Sequence, residues 1–125
     1  MKVRQWKKNI TGGLEAYQRE DYTETEKQFM AAVAIAEVLE PQEQYLAMSL
    51  NNLAKLYSYQ DRYADAEPLL VRTVSILEEA RITEGKQSCS WLVRTDLHIA
   101  IINLAKLYRN QHKYEEAERL IRRLL

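Results

Sequence analysis

Asparagine and lysine are the residues in this chain of 125 whose spacing points to chemistry. The hexapeptide Asn-Leu-Ala-Lys-Leu-Tyr occurs at 52–57 and again at 103–108. Asn52 and Asn103 are therefore equivalent, and so are Lys55 and Lys106. A carboxamide carries both donors and an acceptor, so it can pair with the backbone of an extended peptide whatever its side chains. The lysines stand one turn further along the same helix face. With Arg109 they form a basic strip that favours an acidic ligand. The ordinary alternative is a set of polar residues on a solvated face. Groups suited to catalysis are sparse. His98 and His112 have no second histidine or cysteine at metal-ligand spacing. Cys89 has no neighbouring pattern that would activate it, and no glycine-rich phosphate loop is present. Glu24, Glu26, Asp65 and Glu67 fall on helix surfaces, where i,i+4 pairing is the ordinary explanation. The expectation is a binding protein with no catalytic residues, no metal and no cofactor.

The elements that must position these residues are helices. Leu50, Leu53, Ala54 and Tyr57 lie at i, i+3, i+4 and i+7, one face of a helix. Ile101, Leu104, Ala105 and Tyr108 repeat that face. After a polar break at 59–62, a second stripe runs through Tyr63, Ala66, Leu70, Val74 and Leu77. Tyr114, Ala117 and Ile121 begin its counterpart. Gln60, Tyr63, Ala66, Glu67 and Leu69 recur 51 residues later, as Gln111, Tyr114, Ala117, Glu118 and Leu120. A more divergent copy lies 41 residues earlier, where Gly13, Tyr22, Glu26, Phe29, Val33 and Ile35 answer Ala54, Tyr63, Glu67, Leu70, Val74 and Ile76. Three helical hairpins follow, and repetition on this scale implies a solenoid. The spacing predicts helices at about 3–18, 22–39, 42–59, 62–80, 95–110 and 113–125. Gly13, Ala54 and Ala105 on the first helices, and Ala32, Ala66 and Ala117 on the second, suit the closest helix crossings. Pro41 suits a first helical turn. Asp61, Thr95 and Asp96 are candidate caps, and Pro68 should kink its helix. The chain reads as one domain over residues 1–125. Repeat 1 spans about 3–40 and repeat 2 about 42–80. An insertion covers about 81–94, in which Gly85 and the Ser/Gln cluster read as a loop and Trp91, Leu92 and Val93 as an early turn of the next helix, and repeat 3 spans about 95–125.

Composition agrees. Lys plus Arg and Asp plus Glu each total 18, so bulk charge gives no case for nucleic acid. No apolar run is long enough to span a bilayer. The start of the chain has charge but no apolar segment of signal-peptide type. A single cysteine cannot form an internal disulfide, so a reducing, cytoplasmic setting is expected.

The small residue, the Tyr and the following Tyr-x-x-Ala resemble the tetratricopeptide repeat. Leu50-Asn51-Asn52-Leu53-Ala54, followed by Tyr63-Ala64-Asp65-Ala66-Glu67-Pro68-Leu69, is closer to the kinesin-light-chain-like subclass. Proteins of this type are abundant in bacteria, cyanobacteria among them, and that subclass carries a proline where Pro68 stands. The resemblance implies an all-α solenoid of three helix-turn-helix repeats in a right-handed superhelix, acting as a scaffold for a protein or peptide partner. Unit one departs from the pattern, with Gly12 for a large apolar residue and Thr25 for Ala, and should pack more loosely.

The resemblance also implies that the first helices line a concave groove. Position by position, the groove-facing residues are Lys7, Ile10, Thr11, Leu14, Tyr17 and Gln18 in unit one. Unit two supplies Met48, Asn51, Asn52, Lys55, Ser58 and Tyr59. Unit three supplies Ile99, Ile102, Asn103, Lys106, Arg109 and Asn110. The ligand residues expected are Tyr17, Met48, Asn52, Lys55, Tyr59, Ile99, Asn103, Lys106 and Arg109. Some relatives clamp a C-terminal carboxylate, but here the matching positions are Ile10, Leu14, Asn52, Ile99 and Asn103, and only Asn52 fits. A partly apolar segment is the expected ligand of an adaptor or assembly factor. The alternative is a structural unit that self-associates, as a homo-oligomer through its C-terminal helix or within a longer array.

Overall fold

The computed structural model describes residues 2–39, 42–84 and 91–123. Six α-helices account for nearly all of them: α1 (Lys2–Gln18), α2 (Tyr22–Ala36), α3 (Gln42–Tyr59), α4 (Tyr63–Glu84), α5 (Trp91–Asn110) and α6 (Tyr114–Arg122). Packing is concentrated between helices consecutive in the chain, as expected of a solenoid, in which each unit touches its neighbours.

The three hairpin turns are built alike. Glu20, Asp61 and His112, at equivalent positions, take positive φ of 62°, 60° and 63°. Past each of them, the N–H of Asp21, Arg62 or Lys113 donates to the carbonyl of Ala16, Tyr57 or Tyr108 at 2.9, 2.8 and 2.7 Å. This is the left-handed helix stop, in which the residue after the turn satisfies a carbonyl near the helix end. Asp61 is thus the turn residue and does not cap α4. Its carboxylate accepts from the Tyr63 hydroxyl at 2.9 Å.

The small residues sit where the helices come closest. Ala32, Ala54 and Ala66 are fully buried, and Ala105 and Ala117 nearly so. At Gly13 the approach is tightest: a Cβ there would lie 2.3 Å from Cε1 of Phe29. Unit one is therefore closely packed, against the looser packing expected of it. Thr25 is fully buried, and its hydroxyl donates to the Asp21 carbonyl at 2.9 Å. Trp6 Nε1–H donates to Ser49 Oγ at 2.7 Å across the unit boundary, and the Trp6 ring meets Tyr45 edge-on at 4.9 Å.

Two ion pairs are repeated between successive units. Arg62 Nη1 binds Glu26 at 2.7 Å, and Lys113 Nζ binds Glu67 at 3.3 Å. Arg72 binds Glu37 at 2.8 Å, and the equivalent Arg123 binds Glu78. The first pair carries an aromatic lid: Arg62 lies 4.2 Å from the Tyr57 ring centre, and Lys113 lies 5.6 Å from that of Tyr108. Tyr57 also donates its hydroxyl to Glu26 at 3.2 Å. Burial, then the Glu26 charge, raises the Tyr57 pKa; burial, then Glu67, raises that of Tyr108. A cation just before a helix opposes the helix dipole, so these positions serve the contact between units rather than the local helix. In unit one the same position is Asp21, which caps α2 by accepting from the Glu24 N–H at 3.2 Å.

Helix ends correct several expectations. Helix occupies both ends of the stretch 81–94, and at 91–93 it is the early turn expected there. Helix α4 continues to Glu84 and α5 begins at Trp91, because Arg-Ile-Thr-Glu and Trp-Leu-Val-Arg are compatible with helix. Thr95 and Asp96 therefore lie inside α5 and not at its start. Helix α2 stops at Ala36, with the N–H groups of Glu37, Val38 and Leu39 closing the end on Val33, Ile35 and Ala36. Helix α4 runs without interruption through Pro68, which removes one backbone donor near its start. Pro41 and Cys89 lie outside the described residues.

Candidate functional site

The first helices share one face. Along it lies a cleft of about 340 Å³ whose floor includes Ala54, Leu70 and Leu107. Its walls are Tyr17 from α1, Lys55, Ser58 and Tyr59 from α3, and Asn103, Lys106 and Asn110 from α5. Helical spacing aims these side chains the same way, since positions three and four apart are neighbours on a helix surface.

Five of the nine expected ligand residues meet in this cleft: Tyr17, Lys55, Tyr59, Asn103 and Lys106. The other four, Met48, Asn52, Ile99 and Arg109, do not line it. Met48 and Ile99 are 51% and 44% exposed, and Leu14 and Ile102 are exposed with them. Arg109 is exposed and Asn52 half-buried. The two asparagines are not used alike. Asn103 Nδ2 donates to Asn51 Oδ1 at 3.3 Å, which joins α5 to α3 and occupies part of the Asn103 amide.

Charge in the cleft is uncompensated. Among the described residues, Lys55, Lys106 and Arg109 form no ion pair with a carboxylate. Arg62, Arg72, Lys113, Arg122 and Arg123 all do. The cations at the inter-unit contacts are neutralised, whereas Lys55 and Lys106 are not, a state they share among the described residues with Arg19, Lys27 and Arg119.

One member of the site was not evident from the sequence. Tyr22 completes a cluster with Tyr17 and Tyr59, with ring centres 5.5–5.6 Å apart. Its hydroxyl donates to Tyr59 at 3.5 Å, and this bond, followed by lost solvation, pushes the Tyr22 pKa up to about 12. Tyr22 is the repeat-signature tyrosine of its unit, like Tyr63 and Tyr114, so its position in the repeat suggested packing alone. The missed signal was the short turn, which brings residue 22 back beside residue 17. Tyr59 is 60% exposed, so the cluster offers aromatic surface to a ligand.

The two histidines lie apart from the cleft lining. His98 is exposed on α5. His112 Nδ1 lies 2.9 Å from the Tyr114 hydroxyl in an exposed turn. Among the described residues no group of three or more His, Cys, Asp or Glu side chains is placed to hold a metal ion. No helix among them is long and apolar enough to cross a membrane.

A tetratricopeptide repeat family model matches residues 12–79, and a second tetratricopeptide repeat model matches residues 100–125. No curated protein and no solved structure gives a match.

Proposed function

Since the chain belongs to the tetratricopeptide repeat family, whose repeats are generally protein-interaction modules, we propose that the cleft shared by α1, α3 and α5 binds an extended segment of a protein partner. Such folds typically serve as scaffolds rather than catalysts, and an adaptor or assembly role in the cytoplasm suits this chain. The observation that carries the proposal is the pair of unneutralised lysines, Lys55 and Lys106, beside the Tyr17–Tyr22–Tyr59 cluster. Opposite charge guides encounter and fixes register, and exposed tyrosines supply rigid contact area. The preferred segment is acidic, with an apolar side chain against the tyrosines. Asn103, Asn110 and Ser58, which line the cleft, would bond its backbone.

Selection from a random peptide display library tests this. Enriched sequences should be acidic and should compete with one another. The double variant Lys55→Glu/Lys106→Glu should bind them about tenfold or more weakly, with unchanged helical content. Full affinity in that folded variant removes the cleft as the binding site.

A further inference from the structure

A second hollow, of about 520 Å³, lies beside the tyrosine cluster. It is walled by Tyr22, Lys27 and Met30 of α2 and by Gln60 and Arg62 of the turn that follows α3. The cluster joins it to the cleft of the first helices. Tyr17 and Tyr59 line the cleft, Tyr22 lines the hollow, and the three rings pack on one another. Gln60 of the hollow directly follows Tyr59 of the cleft. The ridge between them is open to solvent, with Tyr59 60% and Tyr17 37% exposed. A segment lying in the cleft therefore has a path over the rings into the hollow.

What the hollow offers such a segment is hydrogen-bond donors. Its own carboxylate, Glu26, is engaged at both oxygens: one accepts from Arg62 Nη1 at 2.7 Å and the other from the Tyr57 hydroxyl at 3.2 Å. Arg62 is held in turn by Glu26, Asp65 and Gln60. Gln60 accepts that last bond through Oε1, which leaves the donor side of its amide. Of the charges lining the hollow, the Lys27 ammonium alone has no counter-charge among the described residues. Packing does not require it, because Pro68 serves at the equivalent place in unit two. Two donor groups brought by two separate elements suit a carboxylate. Beside them Met30 is 52% exposed, and its flexible thioether adapts to varied apolar groups.

We propose that the segment bound in the cleft crosses the Tyr17–Tyr22–Tyr59 ridge onto the outer face of unit one, with a carboxylate between Lys27 and Gln60 and an apolar side chain on Met30. The inference rests on binding in the cleft and adds a second anchor outside it. Lys55 and Lys106 stand on one side of the rings and Lys27 on the other. The partner segment is therefore acidic towards both ends and apolar between them.

The probe is the tightest binder selected on the full chain from a random display library of peptides of about 16 residues, about 50 Å long when extended. Isothermal titration with Lys27→Glu should show binding about tenfold weaker, the scale of losing one charge-assisted contact. Met30→Ser should weaken it as well, and because both positions are exposed the circular dichroism spectrum should not change. Replacing each acidic residue of the peptide by lysine in turn should find one position whose loss with the wild-type chain is recovered with Lys27→Glu. Full affinity in Lys27→Glu, with affinity lost in Lys55→Glu/Lys106→Glu, overturns the second anchor and leaves the cleft as the site. Loss in Lys27→Glu with full affinity in the double variant overturns the continuous path, since the hollow then binds without the cleft. A library that yields no binder overturns both the anchor and the cleft.

Discussion

Two adjacent glycines should respond in opposite ways to the same substitution. Gly12 and Gly13 both lie inside α1, so alanine at either should gain about 1 kcal/mol of helix propensity. At Gly12 a Cβ meets the Gln28 side chain at 3.4 Å, an ordinary contact with a flexible group. At Gly13 it meets the Phe29 ring at 2.3 and 2.5 Å, far inside van der Waals contact. Phe29 is 3% exposed, so its ring can yield only by displacing core neighbours. Overpacking of this kind costs about 1–3 kcal/mol. Gly12→Ala should therefore be stabilising by up to about 1 kcal/mol, and Gly13→Ala neutral to destabilising by about 2 kcal/mol. The propensity gain is common to both and cancels in the comparison, so the gap of about 1–3 kcal/mol reports the helix crossing alone. Urea titration followed by circular dichroism measures it; with a common m-value the gap is read from the midpoints. In Gly13→Ala/Phe29→Leu the loss should be less than additive, because the ring that clashes is gone. Equal stabilisation by the two alanines would refute the close crossing of α1 and α2.

Two further outcomes follow from the inter-unit contacts and the aromatic cluster. Gln111 Oε1 is buried without a hydrogen-bond partner, whereas its counterpart Gln60 accepts from Arg62 Nη1 at 3.4 Å. Arg62 Nη1 donates to both the glutamate and the glutamine of its site, whereas Lys113 Nζ donates to Glu67 and leaves Gln111 Oε1 without a donor among the described residues. Lys113→Arg should therefore stabilise the chain by about 0.5–1.5 kcal/mol in denaturant titration, and a destabilised variant would contradict the equivalence of the two sites. The second outcome concerns pH. The Tyr22 pKa is raised from 10.0 to about 12 by its bond to Tyr59. A raised pKa means that the fold favours the protonated phenol. That contribution is full below pH 10, where the unfolded tyrosine is also protonated, and is lost as pH rises through the folded value. Stability should fall between about pH 10 and 12. Tyr57, Tyr63 and Tyr108, also raised, add to the fall in the same direction. Tyr22→Phe should make the slope shallower, and an unchanged slope would refute the assignment.

The fold was legible because duplication states it twice. Leu53, Ala54 and Tyr57 recur with their spacing intact, and that spacing alone gives the packing face. The turns were less legible. Glu20, Asp61 and His112 adopt a backbone conformation usually signalled by glycine, so only the polar break marked the place. The start of α5 was obscured because Thr95 and Asp96 resemble caps no less than Ser90, the residue that directly precedes Trp91. The inter-unit ion pairs were hidden by distance. Glu26 meets a cation 36 residues later and Glu67 one 46 residues later, and no pattern within one helix reveals that. In the cleft, the repeated lysines and Tyr59 could be read from the family pattern, but the arrival of Tyr22 depends on how tightly one hairpin closes.

Among the described residues, cations that hold the units together differ from the cleft lysines in what they meet, and under the proposed function only the latter are open to a ligand in the cleft. Arg62 and Lys113 occupy positions where a positive charge disfavours the helix that follows. They are offset there by Glu26 and Glu67 and by the tyrosine rings beneath them. Removing either leaves a partly buried carboxylate without its counter-charge, so the loss should appear in stability. Lys55 and Lys106 also recur, but neither meets a carboxylate among the described residues, and both are exposed on the cleft side of their helices. Like charges on one open face gain nothing from folding; they repel weakly until an anionic group lies between them. Charge reversal at Arg62 or Lys113 should therefore move the unfolding midpoint with little direct effect on a cleft ligand. Charge reversal at Lys55 or Lys106 should move the affinity and leave the midpoint almost where it was. If both kinds of substitution moved the same observable, the division of the repeat into a packing face and a recognition face would be wrong.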